Sequence, residues 1–229
     1  MILIDKSQPE PTELSEERAK SNGTYRIEKV LDRLREDFYN KCYICESKNP
    51  ISVNVEHFIP HKGNKDLKFS WENLFWSCAH CNNIKLAQYD NMLNCTDPQD
   101  NVENRMNFKV EPVPFAKVYI EAMDQENKTV QTVELLHKVY NGSTHLKTIE
   151  ASYIREALVD EMLDFYDLLR NYIKSATQQR KDRYFLEIIE KLDSSSAFAA
   201  FKRQVIKNNS NLMNIFGEHI NISREFSPS

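Results

Sequence analysis

The sequence predicts a mostly helical α+β fold with one small strand-containing module close to the N-terminal end. Only 4 of its 229 residues are glycine and 41% are hydrophobic, a composition that favours helices packed in a globular protein. Hydrophobic residues recur at three- and four-residue steps along most of the second half, as amphipathic helices require. A short β-branched run at 51–55 lies between two pairs of cysteines and predicts the first strand of a hairpin.

Three segments follow from this pattern. Residues 1–40 are predicted to be an extended arm and an N-terminal helix, because Pro9 and Pro11 exclude a regular helix at the start. Residues 41–107 contain both cysteine pairs and the predicted strands. Residues 108–229 are predicted to form a C-terminal domain that is mainly helical.

The C-terminal segment is predicted in more detail from its apolar spacing. It begins with a linker and a strand at 108–122, and it continues with a long helix whose apolar stripe extends from 146 to 173. The serines at 194–196 interrupt the pattern and are predicted to cap the next helix, at 197–206. The residues from Asn221 onward are predicted to be frayed.

Four of the five cysteines form two C-x2-C pairs, Cys42 with Cys45 and Cys78 with Cys81. Two residues between ligands let both sulfurs of a pair face one point, and two such pairs are the usual way to hold one tetrahedral Zn²⁺ with four thiolates. The sequence therefore predicts a zinc-stabilised module. Cys95 stands outside this pattern and is expected to be a free thiol without a role.

The first residues offer neither the basic start nor the apolar core of a signal peptide. No run of about twenty apolar residues occurs, so no membrane span is expected. We therefore expect a cytoplasmic protein, in which reducing conditions favour cysteines as metal ligands over disulfides.

The charge balance argues against a protein that grips duplex DNA over its whole surface. The formal net charge is −4, whereas such proteins usually show a basic face or a high pI. Any grip on nucleic acid must come from a partner or from a local group of lysines, for which the candidates are Lys62, Lys65, Lys68 and Lys85.

Four polar residues between and beside the cysteines are not needed for zinc. Glu56 and His57 end the predicted strand, Asn73 lies in the middle of the stretch, and Asn82 directly follows the last cysteine. In order and spacing this stretch resembles the HNH nucleases, also called ββα-metal or His-Me finger nucleases. The resemblance implies a zinc-stabilised ββα-metal finger and an endonuclease that hydrolyses phosphodiester bonds.

The resemblance also implies a role for each residue. His57 would be the general base, and Asn73 would brace the loop that places it. Glu56 and Asn82 would hold a catalytic Mg²⁺ or Mn²⁺ through oxygen atoms, which suit these cations. Asn83 is the alternative ligand to Asn82.

Lys85, on the first turn of the helix predicted to start near Asn82, is a candidate contact for a substrate phosphate. The alternative for Lys85 is a solvated surface lysine. DNA is the favoured substrate. Two alternatives stay open: an RNA-cleaving effector, directed for example at tRNA, and an inactive zinc-knuckle module that only binds nucleic acid.

The whole chain loosely resembles the Septu-type and retron-associated (PtuB-like) HNH nucleases of bacterial anti-phage systems. That resemblance implies a defence complex with an ABC-type ATPase subunit. The segment 108–229 would then be the docking domain for the ATPase, with Phe198, Phe201 and Ile215 as candidate contacts, although most of these apolar residues should simply be buried.

Overall fold

Residues 1–220, which the computed structural model describes, form a mostly helical α+β fold, as predicted. The helices are α1 Thr12–Ala19, α2 Glu28–Asp37, α3 Lys65–Lys68, α4 Ala79–Lys85, α5 Asn127–Asn141, α6 His145–Lys174, α7 Gln178–Leu192, α8 Ala199–Lys207 and α9 Ser210–Phe216. The strands are β1 Val53–His57, β2 Leu74–Cys78, β3 Met106–Val110 and β4 Val118–Ala122. The fraying predicted from Asn221 lies outside the described residues.

The first hairpin and the helix after it build the module that holds the cysteines. Strands β1 and β2 are antiparallel, with Glu56 opposite Phe75 and His57 opposite Leu74. Helix α4 follows β2 without a loop, because Cys78 ends the strand and also caps the helix by accepting a hydrogen bond from the Cys81 backbone N–H. The helix therefore begins three residues earlier than the start predicted near Asn82.

Aromatic side chains fill the space under this hairpin. Phe69, Trp71, Phe75 and Trp76 are all buried and form a small core. The ring of Phe75 lies at the centre, 5.0 Å from the ring of Phe58 and stacked on it. These contacts hold β2 in place, and β2 in turn carries the second cysteine pair.

The N-terminal arm and the C-terminal helices pack onto the same apolar cluster. Ile2 and Ile4 of the arm are buried in it, together with Leu136 of α5 and Phe201 of α8. The Tyr140 hydroxyl donates a 2.8 Å hydrogen bond to the backbone oxygen of Cys45. The cysteine-bearing loop is thus supported from the helical half of the chain.

Histidine 80 adds a second connection between the module and the helices. Its two ring nitrogens lie 2.7 Å from a Glu150 carboxylate oxygen and 2.9 Å from the Val139 backbone oxygen. His80 therefore links α4 to α5 and α6 and has a structural role.

Several local predictions for the rest of the chain are wrong. Helix α1 was not expected, since only Leu14 of its residues is buried and its sequence is largely charged. The segment around 108–122 forms a complete hairpin, β3–β4, instead of a linker and one strand. The serines at 194–196 do not cap α8; its N-cap is Phe198, which has a left-handed backbone with φ of 49°.

The apolar stripe of α6 is buried only in part. Its second half packs through Leu158, Phe165 and neighbouring residues, whereas Leu146 and Tyr153 near its start are 71% and 68% exposed. Within residues 1–220, none of the helices is both long and apolar enough to cross a membrane.

Candidate active site and metal centre

The four paired cysteines meet at one point. Their sulfur atoms all lie within 4.8 Å of one another and all four residues are buried. Tetrahedral zinc with Zn–S distances near 2.3 Å places sulfurs roughly 3.8 Å apart, and the Sγ atoms of Cys45 and Cys78 are 3.9 Å apart. The donor set therefore fits Zn²⁺, and residues 1–220 contain no other comparable group of histidine, cysteine and acidic side chains.

Backbone hydrogen bonds bring the two pairs together. The Tyr43 N–H, inside the first pair, donates to the Trp76 oxygen of β2 at 3.0 Å. The second pair spans the junction of β2 and α4, with Cys78 on the strand and Cys81 on the helix. A zinc ion held by all four sulfurs would fix α4 against the hairpin, and α4 carries Asn82 and Lys85.

Asn73 joins the loop after β1 to the residues before β2. Its side-chain oxygen accepts from the Ile59 N–H at 2.7 Å, and its amide nitrogen donates to the Ile59 and Leu67 oxygens at 2.8 and 3.0 Å. The residue is buried. Every polar atom of this side chain is thus used to hold the loop that follows His57.

We expect Asn73→Ala to lower the melting temperature by about 4–10 °C, because each buried group left without a partner costs about 1–3 kcal/mol. Thermal unfolding followed by circular dichroism measures the effect. Asn83→Ala is the matched control, since Asn83 is exposed on α4. An Asn73→Ala protein that melts with the wild type would contradict this bracing role.

His57 ends β1 and is half-buried. Its Nε2 lies 3.1 Å from the Lys68 backbone oxygen. A carbonyl only accepts, so this contact places the ring proton on Nε2 and leaves a lone pair on Nδ1. Burial lowers the pKa of His57 below its ordinary value, against the opposing effect of the Lys68 carbonyl. The ring is therefore neutral near pH 7 and can accept a proton at Nδ1.

Glu56 is buried beside His57 and forms an ion pair with Lys85. The Lys85 ammonium lies 2.9 Å from Oε1 of Glu56 and 3.1 Å from the His57 backbone oxygen. Burial raises the pKa of the Glu56 carboxyl, while Lys85 acts against that shift. Lys85 is 0% exposed, so the alternative of a solvated surface lysine is wrong. Its contact with a substrate phosphate stays a prediction.

Asn82 lies one helical turn before Lys85 and therefore on the same face of α4, towards β1. Asn82 is half-buried, and Asn83 is exposed. In the described part of the chain, Oε2 of Glu56 has no hydrogen-bond partner. Glu56 and Asn82 thus offer carboxylate and amide oxygens, which fit a hard cation such as Mg²⁺ or Mn²⁺.

Exposed basic side chains occur on the segments that flank this site. Lys62 and Lys65 are exposed on the loop and short helix after β1, and Arg26 is exposed on the segment before α2. The Lys68 ammonium donates to the Gly23 oxygen, so it is partly engaged. The exposed basic group therefore differs from the predicted one in two ways. Lys85 is buried and does not belong to it, whereas the exposed Arg26 does.

Two ring-bearing residues at the site were missed by the sequence analysis. The ring of Tyr25 lies 4.7 Å from that of His57, and the ring of His61 lies 4.6 Å from it on the loop after β1. Tyr25 carries no motif signal. His61 follows Pro60 four residues after His57, and that proximity along the chain was the available signal.

The segment that contains this site also matches a known protein family. No curated protein matches the chain. Residues 42–88 match the HNH endonuclease family, and this range includes all four paired cysteines as well as the side chains clustered around His57. The match supports the HNH endonuclease family for the segment of the chain that carries the four paired cysteines and His57.

Proposed function

We propose that this protein is a metal-dependent HNH endonuclease that hydrolyses phosphodiester bonds of nucleic acids. The observation that carries the proposal is the state of His57, whose Nε2 is held by the Lys68 backbone oxygen while Nδ1 keeps its lone pair. A positioned neutral imidazole is a suitable general base near pH 7. Glu56 precedes His57 on β1, and Asn82 shares a helix face with Lys85, the partner of Glu56.

Each residue then has a defined task. His57 takes a proton from the attacking water at Nδ1. Asn73 holds the loop that fixes the direction of the ring. A divalent cation held by Glu56 and Asn82 would supply positive charge close to the scissile phosphate and the leaving oxygen. Lys85 opposes the rise that burial causes in the pKa of the Glu56 carboxyl and holds that side chain in place.

We expect Asn82→Ala to raise the Mn²⁺ concentration needed for half-maximal cleavage by about tenfold or more, since loss of a ligand or its support typically costs 10–100-fold in metal affinity. A metal titration of plasmid nicking and calorimetric Mn²⁺ binding both measure the change. Asn82→Ala is a cleaner test than Glu56→Ala, which would also leave the Lys85 ammonium buried and unpaired.

Asn83→Ala is the matched control for this titration, because the two amides are neighbours on α4 but only Asn82 is half-buried on the helix face of Lys85. The control should keep the wild-type metal dependence. If Asn83→Ala shifts the titration and Asn82→Ala does not, the ligand is Asn83. If neither variant shifts it, α4 supplies no amide ligand to the cation.

DNA is the proposed substrate, and RNA is the competing one. The exposed cations near His57 suit phosphates of either polymer. Digestion of duplex DNA, single-stranded DNA and total RNA in parallel, with Mg²⁺ or Mn²⁺, decides between them. If the protein binds these polymers but cuts none of them, with or without an ATPase partner, the alternative of a zinc-knuckle binding module is correct.

We further propose that the protein is the effector of an anti-phage complex with an ABC-type ATPase, which rests on the resemblance given above. Phe198 and Phe201 are buried, whereas Ile215 is 39% exposed, so of these three candidates Ile215 is the one that can line a docking surface. Leu146 and Tyr153 of α6 are exposed apolar residues. They lie seven positions, or about two turns, apart on the same face of the helix, and they are better candidates. Tyr153→Asp should reduce co-purification with the ATPase, whereas Leu186→Asp on the exposed face of α7 should not.

A further inference from the structure

His61 is a second imidazole in contact with the proposed base. The ring centroids of His57 and His61 are 4.6 Å apart with an angle of 63° between the planes. Both rings are half-buried. The hydrogen bonds of His61 determine which of its ring nitrogens carries the proton, and therefore whether the ring can donate to a substrate or only fills space.

The turn after Pro60 fixes the proton of His61. The backbone N–H of Gly63 donates to Nδ1 of His61 at 3.1 Å. This contact requires a lone pair on Nδ1, so the neutral ring carries its proton on Nε2. The turn depends on left-handed backbone at Lys62 and Gly63, with φ of 44° and 86°, and Gly63 adopts that conformation without strain. Within residues 1–220, Nε2 of His61 has no hydrogen-bond partner.

The two imidazoles therefore have opposite capacities. His57 presents a lone pair at Nδ1 and His61 presents an N–H at Nε2. Such a donor could act on the leaving oxygen or on a non-bridging oxygen of the phosphate. The distance between the rings distinguishes these two roles.

In an in-line displacement, the attacking and leaving oxygens lie on opposite sides of phosphorus. The nitrogen atoms of a base and an acid that are hydrogen-bonded in line to those two oxygens are then roughly 9 Å apart. This distance is the sum of two hydrogen bonds of about 2.8 Å and the separation of the attacking and leaving oxygens. Rings with centroids 4.6 Å apart are too close for that arrangement. His61 thus lies on the side of the attacking water.

We propose that His61 is a substrate-binding residue that donates its Nε2–H to a non-bridging oxygen of the scissile phosphate. This inference rests on the proposed function and names a contact within that site. It places a hydrogen-bond donor beside the base, where it holds the phosphorus in line with the water that His57 deprotonates.

The test compares His61→Ala, His61→Gln and His61→Phe in the full chain on a duplex oligonucleotide that contains a phosphate cut by the wild type. His61→Ala should lower kcat/KM about 10–100-fold, the loss expected for a hydrogen bond to a charged group. His61→Gln should regain part of the activity because it keeps an N–H donor. His61→Phe should be as defective as His61→Ala, because a ring without a donor cannot replace the contact.

A second substrate separates the two possible oxygens. In this oligonucleotide sulfur replaces the bridging 3′ oxygen at the scissile phosphate, so the leaving group needs no proton. The proposal predicts the same loss in His61→Ala on both substrates. A loss that disappears on the sulfur substrate would assign His61 to the leaving group instead, and full rescue by His61→Phe would reduce its role to packing against His57.

A binding measurement keeps this proposal separate from the proposed function. In a His57→Ala background, His61→Ala should weaken binding of the same fluorescent oligonucleotide about tenfold, measured by anisotropy, with folding checked by circular dichroism. A wild type that cuts nothing would overturn the nuclease proposal while this comparison still tests the phosphate contact. Unchanged binding together with unchanged kcat/KM would overturn the role of His61.

Discussion

His57→Ala is expected to lower the cleavage rate by a factor of about 10²–10⁴, the usual contribution of a general base, while the protein keeps its fold and its zinc. The side chain is half-buried at the end of β1, and its one hydrogen bond to residues 1–220 is with the Lys68 oxygen. Within residues 1–220, the side chains of the four paired cysteines make no hydrogen bond to it. Mn²⁺-dependent plasmid nicking measures the loss, and zinc analysis and thermal unfolding measure the rest.

His145→Ala is the matched control, because His145 is exposed at the start of α6, far along the chain from the site. It should cut at the wild-type rate. A His57→Ala protein that also cuts at that rate would remove His57 from the mechanism. One that loses its zinc or melts early would show that the ring supports the fold, and the rate would then carry no mechanistic information.

Cys81→Ser is expected to lose its zinc and to unfold the module around it. Binding of structural zinc contributes folding free energy directly, about 10–16 kcal/mol in zinc-finger peptides near pH 7. Cys81 is 0% exposed and lies in the first turn of α4, so a serine there removes a ligand and loosens the helix. Elemental analysis should give one zinc per chain for the wild type and much less for the variant, with a large fall in melting temperature.

Cys95→Ala is the control for the zinc prediction. Cys95 is also buried and free of disulfides, and burial raises the pKa of its thiol to about 12, so it stays protonated. This variant should keep its zinc and lose only the modest packing energy of one sulfur atom. A wild type without zinc, or a Cys81→Ser protein with wild-type stability, would show that the four sulfurs do not form a metal site.

The parts of the site that the sequence predicts are those with a short spacing or a family pattern. Two residues between cysteines are enough to predict that their sulfurs converge, and the structure brings all four together. The aromatic run before Cys78 is a signal of the same local kind, since large apolar rings favour burial, and all four rings lie in the core under the hairpin. Such signals can be interpreted from the sequence without knowledge of the tertiary fold.

Other features depend on contacts between distant parts of the chain. The partner of Lys85 is Glu56, 29 positions earlier, and no local pattern distinguishes a buried ion-paired lysine from one on the surface. Helix α4 begins at Ala79, before the predicted start near Asn82, because the Cys78 side chain accepts the capping hydrogen bond that serine or aspartate usually accepts. The exposure of Leu146 and Tyr153 likewise depends on which parts of α6 are covered by other elements, which periodicity cannot show.

The hydrogen bond from the Tyr140 hydroxyl to the Cys45 oxygen has a consequence for protein engineering. Tyr140 also lies against Phe201, with 5.5 Å between the ring centroids, and both belong to the apolar cluster that contains the cysteine loop. Residues 42–88 excised as a cassette would expose that face to water and leave a backbone carbonyl without its donor. We therefore expect this nuclease segment to resist transplantation into chimeras, and a portable version would need α5 and α8 carried along or a redesigned polar face in their place.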